Sequence, residues 1–117
     1  MRDWTPVRDR YLKDPLPTRL GGIAANLART ASFSSNEGHF TAVADLLTET
    51  RHFIEWAAPD TDLATQDALV QLQVELARWG IRISHGWEDR ATRQALADHA
   101  QRWSRAMLDR SGLLAPR

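Results

Sequence analysis

Asp45, Glu49, His52 and Trp56 follow one another at steps of four, three and four, which puts them on one face of a helix. Two carboxylates, an imidazole and an indole together could hold a metal, move a proton or seat a partner chain. Glu49 and His52 form Glu-x-x-His, the spacing with which di-iron carboxylate bundles present two ligands from one helical turn. Such centres also need a second Glu-x-x-His and two more glutamates from other helices. This chain has five glutamates and no second copy of the motif, so the pair stands without the rest of a centre. Two other readings of the face remain. One is a solvated polar surface with Trp56 covered by the N-terminal segment; the other is a protein-binding surface anchored by Trp56, a residue type favoured at interface hot spots.

A second pair lies further along the chain. Arg93 and His99 are spaced Arg-x5-His, which is similar to the Arg-x(4–6)-His motif of HEPN-type ribonucleases, themselves small helical bundles. That resemblance implies RNA cleavage by Arg93 and His99, usually at a dimer interface. The surrounding residues favour another role, because His99 shares the apolar side of its helix with Leu96 and Trp103 and reads as a hydrogen-bonded core histidine. The motif is also loose in a chain with fourteen arginines and four histidines. His39 and His85 sit near turns without a ligand partner at a recognised spacing. There is no Gly-x-Gly-x-x-Gly, Walker-type loop or zinc signature. No cofactor is expected, and no catalytic or metal-ligating residue is assigned.

Composition narrows the classes further. The 117 residues, 43% of them hydrophobic and 26% charged, describe one soluble globular domain over 1–117. Cysteine is absent, which removes disulfides and thiolate chemistry. No apolar run reaches the length of a membrane span, and Met1 to Pro6 lacks the apolar core of a signal peptide, so a cytoplasmic protein with no membrane partner is expected. Fifteen basic and fifteen acidic residues cancel, and without a dominant basic field nucleic acid is not an expected partner. The charges are nevertheless segregated: residues 1–36 carry six basic and three acidic groups, 37–75 one and eight, and 76–117 eight and four.

The elements that must position these residues are helices. Asp14-Pro15 is an N-cap followed by proline in the first turn, and Leu16, Leu20, Ile23, Leu27 and Ala31 then mark a first helix over 15–32. Gly21, Gly22, Ala24, Ala25 and Ala28 beside them permit close helix approach. After a turn at 34–38, a second helix carries Phe40, Val43, Leu47, Thr50, Ile54 and Ala57, with Leu46 and Phe53 widening its stripe. Pro59-Asp60 ends it, and a residue of 60–62 caps the third helix over 63–83, where Gly80 is a place for a bend or break. A turn at 85–89 leads to a fourth helix from about Arg90, with Leu96, Ala100, Trp103, Met107 and Leu114 on one side. Gly112 supplies its left-handed C-cap, with Leu113 folding back on Leu108. The expected fold is all-α, an antiparallel four-helix bundle over 15–114. Trp4, Val7, Tyr11 and Leu12 make residues 1–14 an ordered N-terminal arm.

The third helix is apolar twice over. Leu69, Leu72, Leu76, Trp79 and Ile83 form one seam; Leu63, Val70, Val74, Ala77 and Ile81 form another. One seam suffices for a bundle core, so the second must be covered by the arm or by another chain. The stretches Asp9 to Asp14, Arg19 to Arg29, His52 to Ala58 and Arg110 to Leu114 together resemble a family of small cyanobacterial helical proteins to which no activity is assigned. The resemblance implies a bacterial cytosolic setting and marks Arg19, Asn26, Glu55 and Trp56 for mutation. Within a helix, Asn26 calls for a buried hydrogen bond or a helix contact. The function expected is a non-enzymatic protein-interaction or assembly module, a homodimer or a binder of another protein. Its surface would be Leu63, Val70, Val74, Ala77 and Ile81, or Asp45, Glu49, His52 and Trp56. The alternative is a metal-binding or hydrolytic bundle enzyme.

Overall fold

The structure, a computed structural model, describes residues 2–114. Met1 and residues 115–117, part of the expected domain, lie outside the described residues. The fold is all-α, with five α-helices: α1 (Thr5–Leu12), α2 (Leu16–Phe33), α3 (Phe40–Ala57), α4 (Leu63–Gly86) and α5 (Arg90–Ser111). Short 3-10 turns at Glu37–His39 and Ala58–Asp60 lead into α3 and out of it. Among the described residues there is no strand, and no helix is long and apolar enough to cross a membrane.

The apolar stripes explain most of the burial. Leu20, Ile23 and Leu27 of α2, Val43, Leu47 and Ile54 of α3, Leu69, Leu76 and Ile83 of α4 and Leu96 of α5 are all almost inaccessible. Helix α2 packs against both α3 and α5, α3 against α4, and α4 against α5. The α2–α5 contact is the most extensive, and the Ser104 hydroxyl of α5 donates to the Ala24 carbonyl of α2 at 2.7 Å. Of the other small residues expected to permit close approach, Ala25 and Ala28 are exposed and Gly22 faces Tyr11 and Phe53. Asp62 caps α4 by accepting from the Thr65 N–H at 2.8 Å, and hydrogen bonding to the Thr65 side chain and then to its backbone lowers the Asp62 carboxyl from its usual value. Gly112 closes α5 at φ 78°, the left-handed conformation expected of it.

The structure departs from the sequence reading in several further places, and in the last of them it decides between two positions that the reading left open for the N-terminal arm. The N-terminal arm is itself a helix, α1, started by Pro6 in its first turn. Helix α4 runs unbroken through Gly80 to Gly86, because an exposed glycine weakens a long helix without ending it when the flanking turns are packed. Phe40 and Leu114, placed in the core by periodicity, are 36% and 63% exposed, each at an end of the packed layers. Leu113 lies over Gly21 of α2: a Cβ there would come within 2.7 Å of the leucine, so the missing side chain of Gly21 makes the seat. Finally, α1 does not lie over α4 but packs on α3.

The placement of α1 is fixed around Arg19, which is only 8% exposed. Its Nε donates to the Asp14 carbonyl at 3.1 Å and its guanidinium to Asp60 Oδ2 at 2.9 Å. Its own carbonyl accepts from the Tyr11 hydroxyl at 2.7 Å. The Tyr11 ring stacks on Phe53 with centroids 4.1 Å apart. Burial pushes the Tyr11 phenol well above its ordinary value, because the phenolate would lose its hydration. Below pH of about 10 the contribution of this phenol is fully present; above it the unfolded chain ionises first and stability falls. Replacing Tyr11 by Phe is expected to cost about 1 kcal/mol in urea unfolding at neutral pH and to flatten the alkaline loss of stability. Since the chain has one tyrosine, phenolate absorbance on titration tests this residue directly. Ionisation of folded protein near the ordinary value would contradict its burial.

Candidate functional site

Helix α3 carries Asp45, Glu49, His52 and Trp56 on the side opposite its buried stripe, with Asp45 exposed and Trp56 half-buried against the edge of the core. They are not free together. Asn26, fully buried on α2, donates through Nδ2 to Glu49 Oε1 at 3.2 Å and accepts from the Arg29 guanidinium. This is the buried helix contact expected of Asn26, and it aims Glu49 at α2. His52 lies in an aromatic stack, with centroids 4.3 Å from Trp4 and 5.4 Å from Trp56. Arg2 closes the outer side of Trp4 at 4.2 Å. Glu49 and His52 are thus engaged by different neighbours. Among the described residues, no three His, Asp or Glu side chains are grouped as a metal centre would need. Asp45 and Glu55 are exposed on the same helix.

The Arg93 and His99 pair is likewise divided. Arg93 is 8% exposed and donates to the Trp87 carbonyl at 2.7 Å, tying α5 to the end of α4. The Trp87 indole in turn donates to the Glu37 carbonyl at 2.6 Å, so Arg93 braces both turns at that end. His99 is half-buried between Trp79 (5.6 Å) and Trp103 (5.4 Å), and its Nδ1 meets Arg102 at 3.0 Å. These contacts serve the packing of α4 on α5. They do not place the two side chains around a shared point.

The outer face of α4 is different. With α1 on α3, Leu63, Val70, Val74 and Ile81 remain 82%, 56%, 46% and 66% exposed, and Ala77 between them is half-buried. These positions lie opposite the buried seam on the helix, and among the described residues no element covers them. The face continues into a groove of about 490 Å³ between α4 and α5, floored by Leu72, Val74, Trp103 and Met107 and edged by Arg110. Single exposed aliphatic residues are ordinary; here four of them share one face of one helix beside a groove lined largely by apolar side chains. The charge pattern along the row is polar too: Asp67 lies in its first half, and Arg78 and Arg82 beside its second. Arg78 pairs with Glu75 at 3.3 Å in an exposed contact, and Arg82 lies over the Trp79 ring at 4.4 Å.

Sequence reasoning identified the row but not the groove. Trp103 and Met107 carry the same helical spacing as Leu96 and Ala100, and nothing in that spacing says that α5 leaves α4 partly open at their level. No protein-family model matches the chain, and no curated protein or solved structure is significantly similar to it. The functional reading rests on the geometry. Truncating Trp4 to Ala should release α1 from α3 while leaving α4 as it is. The expected result is faster amide exchange over residues 5–12 and a loss of about 1 kcal/mol. Unchanged exchange there would mean that the Trp4, His52 and Trp56 stack does not hold the N-terminal helix.

Proposed function

We propose that the protein is a non-enzymatic interaction module of the bacterial cytoplasm that assembles as a homodimer. Its docking surface is the outer face of α4, Leu63, Val70, Val74, Ala77 and Ile81, with the groove beside it. In this reading α2 to α5 form an antiparallel four-helix bundle, with α1 as a fifth element laid along α3. The observation that carries the proposal is the uncovered second seam: the one segment of the chain with the aromatic content to cover it is engaged elsewhere, through Tyr11 on Phe53 and Trp4 on His52. Burial of this row in a second chain returns roughly 25 cal/mol for each Å² of apolar surface removed from water.

The face of Asp45, Glu49, His52 and Trp56 has a smaller part in the proposal. Trp56 is half-buried beneath α1, and the aromatic anchor it could have offered a partner is used within the chain. Light scattering tests the proposal. Wild-type protein at tens of micromolar should show twice the mass of one chain, and Val74→Asp the mass of one. Because Val74 is exposed in the single chain, the variant should keep its helical circular dichroism. A monomeric wild type would remove self-association.

A further inference from the structure

We infer that the second copy docks antiparallel, α4 on α4, about a two-fold axis at the level of Leu72, with Asp67 and Arg78 setting the register. The inference rests on the homodimer reading and adds its geometry. It follows from the order of residues along the exposed face. Val70, Val74, Ala77 and Ile81 recur at steps of four, three and four, the spacing of a two-helix seam. In a two-fold contact, if one residue meets another, the reverse meeting occurs on the other side of the axis. Setting Val70 against Val74 of the second copy brings Leu63 against Ile81 and Asp67 against Ala77, beside Arg78. Each of the four most exposed apolar residues of the helix then meets an apolar residue, with no shift needed between the layers.

Charge decides between the two orientations. An antiparallel pair places Asp67 beside Arg78 of the second copy, twice over, on the same flank of the seam. A two-fold parallel pair keeps Asp67 about 16 Å along the seam from Arg78 of either copy and brings the two Asp67 carboxylates to one level, so no such pairing forms. Neither group is committed elsewhere by a buried contact. Asp67 accepts only from Gln71 at 3.1 Å on the exposed surface, and the Glu75–Arg78 pair is 42% and 72% exposed. Exposed pairs of this kind are worth little and exchange partners readily. Antiparallel packing also sets the two helix dipoles head to tail.

The chain has no cysteine, so introduced thiols report the orientation without interference. Under mild oxidation, the double variant Leu63→Cys/Ile81→Cys should form a covalent dimer, and neither single variant should. In the antiparallel pair the two copies of residue 63 are about 27 Å apart, and the same distance separates 63 from 81 within one helix. Both positions are exposed in the single chain, so folding should survive, with circular dichroism as the check. In addition, Asp67→Arg and Arg78→Asp should each weaken the dimer several-fold, and the combination should restore it. A dimer in which either single cysteine variant links to itself is parallel and overturns the inference. So does a dimer whose double variant does not cross-link, which places the interface elsewhere. A monomeric wild type, by contrast, removes the underlying homodimer reading.

Discussion

A guanidinium taken out of water costs several kcal/mol unless its donors are met, and Arg19 can be buried only because three segments of chain come to it. The Asp14 carbonyl and the Asp60 carboxylate accept its N–H groups, and Tyr11 caps its carbonyl. The ion pair to Asp60 is half open to solvent and adds little. The backbone and hydroxyl bonds matter more, because they fix the direction in which the chain leaves α2 toward its N-terminus. From Tyr11 that direction runs along α3, so Trp4 lands on His52 and Trp56 and the segment does not lie on α4.

One early choice therefore settles which surfaces are open. The α3 face, which by residue type looked most like a chemical site, is closed by the chain's own aromatic residues and by the Asn26–Glu49 bond. The α4 face, composed of plain aliphatic residues, is left in water. What its residues offer is apolar area in a fixed spacing, with charges of opposite sign at its two halves.

The sequence was legible where a single element decides. The buried stripes of α2, α3 and α4, a cap within residues 60–62, which proves to be Asp62, and the glycine stop at Gly112 follow from periodicity and local backbone chemistry, and the structure has them. The doubled apolar character of α4 was legible for the same reason. What could not be read was the choice among partners. Tyr11 and Trp4 are equally apolar whether they pack on α3 or α4, and the decision depends on Phe53, His52 and Arg19, which are distant in sequence. The same holds for Leu113, drawn to the space over Gly21 on another helix, and for the groove at Trp103 and Met107, which depends on how closely two helices run.

The close contact of α2 with α5 also orders events in time. Ser104 and Ala24 are 80 positions apart, so the inner face of α2 cannot be sealed until the last helix exists. During synthesis at about 5–20 residues per second, α2 and α3 must wait on the order of several seconds with the α5-facing side of α2 in water. Fast, local helix pairing alone cannot finish this fold; its slowest contact joins the two ends of the chain. In that interval the nascent chain exposes the apolar face of α2, and once α4 emerges its aliphatic row as well, so the order of synthesis leaves the most apolar surfaces of the fold longest in water.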